Sequence, residues 1–279
     1  MKKIITLLLS CSLLGLGASP AMAQHKLQQI WQTANLPTPE SVLVVNEEKF
    51  TYLFVSLIDG QGDAVDGKGG VAKLAIDGAV IDKDWITGLN APKGMAIYKN
   101  RLYVADLTEL VVIDIEDQKI LKKIQIAGSV FLNDVTVNSS GVVFVSDTRT
   151  NKVHRVDDDT PSVYLENISN ANGLKAFGSN LIVGAGPELL LVGPDKKPLI
   201  LAKGFAQGID GIEMTKRGEF IVSCWPGLIY YVYANGKIEL LIDSQAQKIN
   251  TADIGFDPAT QRLFVPNFFK NTVTAYQLQ

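Results

Sequence analysis

Cysteine and histidine are scarce in this sequence, which has only Cys11 and Cys224 and only His25 and His154. Cys11 falls in an N-terminal apolar segment that we expect to be removed, so Cys224 would have no partner for an internal disulfide. Its place in the run EFIVSC predicts a small buried side chain. Serine-nucleophile hydrolysis is disfavoured, because there is no G-x-S-x-G motif and no suitably placed histidine.

Runs of lysine and arginine are also absent. The formal net charge is −3, and it would be −5 without Lys2 and Lys3. Without a basic patch, nucleic acid and anionic membrane surfaces are not expected as partners. No Pro/Ser-rich linker and no convincing helical periodicity follow the N-terminal segment, so a single domain over residues 24–279 is expected.

The first 23 residues have the pattern of a secretory signal peptide. Lys2 and Lys3 precede an apolar stretch over residues 4–18, and Ala21-Met22-Ala23 forms an A-x-A cleavage site. We predict cleavage after Ala23. The mature protein would then be periplasmic or secreted, with no membrane anchor, since the apolar stretch is too short to span a bilayer comfortably.

What the sequence does have is a repeat. Six β-rich runs are aligned on a shared valine and separated by 49, 41, 38, 39 and 43 residues; they are YLFVSL (52–57), RLYVAD (101–106), VVFVSD (142–147), NLIVGA (180–185), EFIVSC (219–224) and RLFVPN (262–267). A period near forty made of short strands is typical of propeller blades. We therefore predict an all-β, six-bladed β-propeller.

Each repeat has four strand signals separated by turn residues. In the third they cover residues 134–138, 141–147, 152–156 and 162–165, and the turns between them contain Asn, Ser, Gly, Thr and Asp. The last repeat ends after its third strand. The stretch Lys26–Thr33 precedes the first repeat, so we predict that it supplies the outer strand of the last blade and closes the ring.

A polar residue opens the innermost strand of each blade. The six are Glu40, Lys93, Asn133, Asn172, Asp210 and Asp253. In a propeller they should converge at one mouth of the central channel, where oxygen ligands without His or Cys favour a hard divalent cation. Alternatives remain for each residue. The amides and Asp210 could bond backbone at a turn, Glu40 could be a surface acid, Lys93 is expected to pair with Asp253 or Glu40, and Asp253 could be structural.

The openings Pro39-Glu40-Ser-Val, Phe131-Leu-Asn133-Asp134, Ala171-Asn172-Gly-Leu and Ile209-Asp210-Gly-Ile resemble, in order and by blade, the metal-binding motifs of the regucalcin / gluconolactonase / luciferin-regenerating-enzyme family. More distantly the chain is similar to paraoxonases and strictosidine synthases. The resemblance implies one divalent cation on Glu40, Asn133, Asn172 and Asp210, with Asp210 as general base. Calcium is favoured, with magnesium, manganese or zinc as other possibilities.

Two departures from the family weaken any assignment of substrate. The sugar-lactonase members have an arginine two residues before the third-blade asparagine, where this chain has Phe131, and the histidine pair of paraoxonases is absent. Trp225, Phe268 and Phe269 are expected near the same mouth as Phe131, which suggests a less polar ligand than a sugar acid. Core packing is the competing interpretation for each aromatic residue.

A Gly/Asp-rich insert over residues 59–70 lengthens the first repeat. It contains a G-x-x-x-x-G-K match but lacks the following Ser or Thr and a helix, so a phosphate loop is not indicated. Asp59, Asp63 and Asp66 lack the spacing of a calcium loop. A solvated loop is the simplest interpretation, and a lid or a minor cation site is the alternative.

The sequence thus favours an exported, divalent-metal-dependent hydrolase of small lactone- or ester-like molecules. The alternative is a non-catalytic, NHL-like propeller that binds a ligand or partner at its mouth and keeps a structural cation. Lys93, Phe131, Trp225, Asp253, Phe268 and Phe269 are the candidate residues for contacts with the bound molecule.

Overall fold

The computed structural model describes residues 24–279, which form 24 β-strands and one short 3-10 helix at Phe268–Lys270. The strands make six four-stranded antiparallel sheets arranged as the blades of a β-propeller, which confirms the predicted fold class. The predicted signal peptide lies outside the described residues. Within residues 24–279 no helix is long and apolar enough to cross a membrane.

The strands follow one another from the innermost to the outermost position in the first five blades. Blades one to three contain β2 (Pro39–Asn46), β3 (Thr51–Leu57), β4 (Gly69–Ala75) and β5 (Val80–Leu89); β6 (Pro92–Tyr98), β7 (Arg101–Asp106), β8 (Glu109–Asp114) and β9 (Lys119–Gln125); and β10 (Leu132–Val137), β11 (Val143–Asp147), β12 (Lys152–Asp157) and β13 (Thr160–Leu165). The strands of blade three lie within two residues of their predicted bounds.

Blades four and five follow the same order, and blade six takes its outer strand from the N-terminal end of the described chain. They contain β14 (Ala171–Phe177), β15 (Asn180–Ala185), β16 (Glu188–Val192) and β17 (Pro198–Lys203); β18 (Ile212–Met214), β19 (Phe220–Cys224), β20 (Leu228–Val232) and β21 (Ile238–Asp243); and β22 (Gly255–Asp257), β23 (Arg262–Pro266), β24 (Thr272–Leu278) and β1 (Leu27–Ala34).

The closing strand pairs as the sequence predicted. β1 runs antiparallel to β24, from Leu27 opposite Leu278 to Ala34 opposite Thr272, and it begins and ends one residue later than expected. The Trp31 indole donates to the Ile76 carbonyl oxygen of blade one (3.2 Å), so β1 also contacts the neighbouring blade. This pairing covers the edge of β24 that would otherwise be exposed.

The core consists of apolar layers between adjacent blades. One layer, for example, joins Tyr52 and Phe54 of blade one to Leu102 and Val104 of blade two. The run from each repeat contributes buried alternate side chains to the layers on both sides of its sheet, because successive residues of a strand face opposite ways. Cys224 lies in one of these layers, fully buried and unbridged, as predicted.

Candidate functional site

A β-bulge at the start of the innermost strand sets the direction of the opening residues. In blades one to four the strand pairing slips by one residue at Glu40-Ser41, Lys93-Gly94, Asn133-Asp134 and Asn172-Gly173. A bulge places two residues opposite one and changes the direction of a side chain. The same slip therefore redirects the opening side chain in each of these four blades.

Serines on the second strand support three of these openings. The backbone N–H groups of Ser41, Asp134 and Gly211, each one residue after an opening residue, donate to the hydroxyls of Ser56, Ser146 and Ser223 at 2.8–2.9 Å. All three serines are fully buried. Sequence reasoning missed them, although the recurring S in YLFVSL, VVFVSD and EFIVSC was a visible signal.

Glycine after an opening residue allows neighbouring inner strands to approach closely. A Cβ at Gly173 would collide with the carbonyl oxygen of Asp210, and a Cβ at Gly211 would press on the backbone and carboxylate of Asp253. The Asn-Gly and Asp-Gly pairs thus pack inner strands together, since only glycine leaves room for the neighbouring backbone.

Glu40, Asn172 and Asp210 lie close enough to interact, and Asn133 is linked through Thr148 to the strand that carries Asn172. Asn172 Nδ2 donates to Asp210 Oδ1 (2.8 Å), and Asn133 Nδ2 donates to Thr148 Oγ1 (3.1 Å), which leaves the Asn133 carbonyl oxygen free to face elsewhere. Glu40 and Asp210 are only 5% and 3% exposed. Two buried acceptors, Glu40 Oε2 and Asn172 Oδ1, have no hydrogen-bond partner. Buried orphan acceptors are uncommon and require a physical explanation.

The carboxylates at this mouth are electrostatically costly. Burial raises the pKa of Asp210 to about 7, opposed by the hydrogen bond from Asn172. Burial and then the charge of Asp210 raise the pKa of Glu40 well above its usual range, and the Lys93 ammonium partly offsets this rise. Desolvation and like charges both disfavour ionised carboxylates, and a bound cation would reverse both effects.

The other two opening residues are engaged differently. Lys93 does not form the ion pair expected with Glu40 or Asp253; its ammonium donates to the carbonyl oxygens of Gly62 and Ala91, each at 2.9 Å. Asp253 Oδ2 accepts a short hydrogen bond from Ser41 Oγ (2.5 Å). Burial, followed by the charges of Asp134 and Glu40, raises the pKa of Asp253 well above its usual range.

A cavity of about 200 Å³ continues along the axis beneath the openings. Its charged lining residues are Asp134, Lys175, Glu213 and Asp253. Lys175 Nζ pairs with Glu213 (2.5 Å), while Asp134 accepts from the backbone N–H groups of Val135 and Leu174. Glu213 is therefore paired with a lysine, whereas Asp134 has hydrogen bonds but no ion pair.

The aromatic candidates lie in two groups. Trp225, Phe268 and Phe269 form a cluster with ring centroids 4.8–5.8 Å apart. Phe269 is 67% exposed, whereas Phe268 packs against Ile58 and its apolar neighbours, as the core-packing alternative expected. Phe131 belongs to the second group, where the Lys93 ammonium and the Arg149 guanidinium lie 4.4 and 4.3 Å from its ring centroid.

Neither histidine reaches the mouth. His154 lies on β12 and is buried, with Nε2 3.8 Å from Asp147 Oδ2, so it does not face solvent. His25 stacks on Tyr231 and contacts Glu239 at the seam where β1 closes the ring. Within residues 24–279 no three His, Cys, Asp or Glu side chains are grouped to hold a metal. A cation site here therefore depends on the amide oxygens of Asn133 and Asn172.

Comparison with known proteins supports the architecture. No family model matches the sequence, and no curated protein matches it either. An inactive virginiamycin B lyase from Staphylococcus aureus, solved with quinupristin, is 12% identical with a TM-score of 0.63, over 91% of this chain and 99% of that one. A streptogramin B lyase has the same identity and TM-score over 92% and 98% of the two chains.

A protein of unknown function from Bacteroides thetaiotaomicron is 13% identical with a TM-score of 0.66, over 92% of this chain and 76% of that one. At such identities the likeness shows the fold alone, a six-bladed propeller. The closer resemblance to the regucalcin and gluconolactonase family stays a prediction, and so do the cation and the role of each opening residue.

Proposed function

We propose that the protein is a divalent-cation-dependent hydrolase of small lactones or esters, with the cation held by Glu40, Asn133, Asn172 and Asp210. The observation that carries this proposal is the pair of buried acceptors without partners, Glu40 Oε2 and Asn172 Oδ1. Both residues open the innermost strand of their blade, at the positions that the sequence predicts for cation ligands. A hard cation is the ligand that such neutral and anionic oxygens bind together.

The donor set fits a cation better than it fits hydrogen bonding alone. Asn172 and Asn133 each direct their Nδ2 group to a protein acceptor, so that their carbonyl oxygens are available. A carboxylate buried without a counter-charge is strongly disfavoured, and the Lys93 ammonium contacts carbonyl oxygens instead. Calcium is the first choice, because all four donors are oxygens.

A cation at this position would supply Lewis acidity, polarising a carbonyl group and increasing the acidity of water. Asp210 is the residue we assign as general base. Its carboxylate is held by a hydrogen bond from Asn172, and a cation bound beside it would keep it ionised at neutral pH, which is the state that can accept a proton. Hydrolysis would then transfer a proton from water to Asp210 as the water oxygen bonds to the carbonyl carbon, and the ester or lactone carbon–oxygen bond would break as that proton returns to the leaving alkoxide oxygen.

The test is cation binding by wild type and three matched variants. Glu40→Gln and Asp210→Asn alter proposed ligands, whereas Asp253→Asn alters a carboxylate of the same ring outside the proposed set. We expect one divalent ion per wild-type chain by elemental analysis, retention of that ion by Asp253→Asn and loss by the other two. No ion in wild type, with melting unaffected by chelator or calcium, would overturn the proposal. A panel of γ-lactones and aryl esters then tests turnover.

A non-catalytic ligand-binding propeller is the second candidate. It is favoured by the coverage of the mouth, since the loop between β3 and β4 reaches Lys93, and by the exposed Trp225 and Phe269. Stoichiometric cation binding without turnover on the panel would select it.

Chemistry of the virginiamycin B lyase type has less support. One solved form of that enzyme is described as inactive after a histidine-to-alanine substitution. In the described part of this chain, His154 is buried beside Asp147 and His25 lies at the ring seam. No histidine is therefore available at the mouth for that reaction.

A further inference from the structure

The loop between β3 and β4, residues 58–68, extends from blade one to blades two and three. Its Gly62 carbonyl oxygen accepts from Lys93 of blade two (2.9 Å), and its Asp63 carboxylate pairs with Arg149 of blade three (2.9 Å). The backbone of Gly67 is tied to the Asn90 side chain (3.3 Å). The insert, for which the sequence predicts a solvated loop, a lid or a minor cation site, therefore lies across the mouth.

The loop contacts a cluster of cationic and aromatic side chains formed by Lys93, Arg149 and Phe131. Phe131 has the Lys93 ammonium and the Arg149 guanidinium at 4.4 and 4.3 Å from its ring centroid, a geometry in which cation–π attraction contributes. Lys93 is 2% exposed, and no ion pair within residues 24–279 includes it. A positive region thus adjoins the acidic Glu40.

The carboxylate of Asp63 already interacts with the two cationic side chains of this cluster. It contacts Arg149 directly and attracts Lys93 electrostatically. Both members of the Asp63–Arg149 pair are half exposed, at 57% and 50% of their side chains. Exposed pairs of this kind are weak, so another carboxylate could replace Asp63 at little cost.

We propose that Lys93, Arg149 and Phe131 form a binding subsite for a carboxylate group of the ligand, and that Asp63 occupies it when no ligand is bound. The guanidinium of Arg149 has the fork geometry that binds a carboxylate through two hydrogen bonds, and Phe131 offers a face to an adjacent apolar group. The expected ligand is a small carboxylic acid with an apolar or aromatic body.

That this ligand is the substrate rests on the proposed hydrolase function. The anion subsite itself does not, because none of its three residues belongs to the proposed cation ligands. A substrate would then present its carboxylate to Arg149 and Lys93 while its ester or lactone group approaches Asp210. A purely structural latch between loop and blades would show no preference for anionic ligands.

The test is an NMR titration with benzoate, using benzamide as the neutral probe of matched shape. The protein is first treated with chelator, the chelator is removed, and the titration is carried out both without and with added calcium. We expect wild type to bind benzoate at least tenfold more tightly than benzamide. Asp63→Asn, which removes the internal competitor, should bind benzoate about threefold more tightly than wild type, and Arg149→Gln about fivefold more weakly, as expected for partly exposed charge pairs.

Asp117→Asn is the matched control, since it removes the same charge from another exposed ion pair, Lys119–Asp117, whose side chains are 57% and 58% exposed. Its benzoate affinity should equal that of wild type. Equal binding of benzoate and benzamide, no benzoate binding, or equal effects of Asp63→Asn and Asp117→Asn would overturn the subsite. If the protein binds benzoate as expected but binds no cation, the hydrolase proposal is wrong and the carboxylate subsite is still supported.

Discussion

Glu40 is the opening residue whose environment is least explained by hydrogen bonding. Its carboxylate is buried, one oxygen has no partner, and Asp210 adds negative charge nearby. The nearest cationic group, Lys93, bonds to carbonyl oxygens. A group so placed destabilises the cation-free protein whenever it is ionised, and the same placement would favour a bound cation.

The Glu40→Gln substitution should therefore stabilise the cation-free protein but remove the stabilisation that calcium gives. At pH 8 it should raise the melting temperature of the cation-free protein by a few degrees, because about 1–2 kcal/mol of buried charge cost is removed. Calcium at a hundred times the wild-type Kd should stabilise wild type by about 2.7 kcal/mol, or roughly 5 °C, and the variant not at all. Scanning fluorimetry with a calcium series measures both, and equal calcium shifts would contradict the assignment.

Thr148 is a positioning residue that sequence reasoning did not select. Its hydroxyl accepts from Asn133 Nδ2 (3.1 Å) and donates to the carbonyl oxygen of Ala171 (2.8 Å), the residue before Asn172. It thereby orients one proposed ligand and anchors the backbone next to another. Supporting groups of this kind fix which atom of an amide faces the metal.

Replacement of Thr148 by valine, which keeps the shape and removes both hydrogen bonds, should weaken calcium binding by about 10- to 100-fold. Thr148→Ser keeps the hydroxyl and should stay near wild type. Calorimetric titration of calcium into each variant gives the affinities, with melting temperature as a check on folding. An unchanged affinity in the valine variant would show that Asn133 is not oriented by Thr148, or does not bind the cation.

At the scale of the strands, a buried serine hydroxyl supports the start of the inner strand in three blades. Ser223 Oγ accepts from the Gly211 backbone (2.8 Å) and donates to the Ala252 carbonyl oxygen (2.7 Å), so it links blades five and six beside Asp210. Its loss would leave a buried donor and a buried acceptor without partners.

Ser223→Ala should lower the free energy of unfolding by about 1–3 kcal/mol and the melting temperature by roughly 2–6 °C. Ser162→Ala is a suitable control, because the Ser162 hydroxyl is exposed and makes only a long 3.4 Å contact with Arg155. Urea and thermal unfolding of the two variants measure the difference. Similar stabilities would mean that water replaces the serine hydroxyl in supporting the start of the inner strand of blade five.

The elements that sequence could predict are those fixed by local pattern. The period of the valine-centred runs predicted six blades. The last repeat has only three strand signals of its own, which predicted that β1 is the fourth strand of blade six. These inferences succeed because a strand must bury alternate residues and cannot leave a long edge unpaired. Position within the repeat also singled out Glu40 and Asp210, whose carboxylates lie close enough to repel each other, but their role stays a prediction.

Long-range contacts were the part that sequence could not predict. The Asp63–Arg149 pair joins residues that are 86 positions apart in the sequence. Lys93 donates to the Gly62 carbonyl oxygen of the insert and not to a carboxylate of another opening residue. Such contacts depend on the path of a loop, which periodicity does not describe. The supporting roles of Thr148 and of the three serines could not be predicted for a related reason, which is that polar residues in or after strands have many possible roles.

For the molecule as a whole, the burial of carboxylates around one axis should make stability depend on pH. Burial raises the pKa values of Asp134 and Asp210 to about 7, and those of Glu40 and Asp253 rise as well. A raised pKa means that the folded protein binds more protons than the unfolded chain between about pH 4 and pH 7. Their contribution is therefore fully favourable below about pH 4 and is lost as pH rises through about 7.

The contribution of Asp147 to stability has the opposite pH dependence and changes in a lower pH range. Burial alone would raise its pKa, but hydrogen bonds from the backbone of Val130 and Phe131, together with the nearby His154 ring, lower the pKa to about 2. Its stabilising contribution is present above about pH 4 and is lost only as pH falls toward 2. Between pH 4.5 and pH 8 it is constant, so the axial carboxylates decide the slope there.

The cation-free protein should consequently lose melting temperature between pH 4.5 and pH 8, on the order of 5 °C. Calcium should restore it increasingly toward pH 8, because a cation binds the ionised carboxylates and displaces their protons. The double variant Glu40→Gln/Asp210→Asn should show a flatter profile and no calcium response. Thermal scans across this range, with and without calcium, measure both effects. A flat wild-type profile would mean that the axial carboxylates are already neutralised by their protein neighbours, leaving no electrostatic reason for a cation at the mouth.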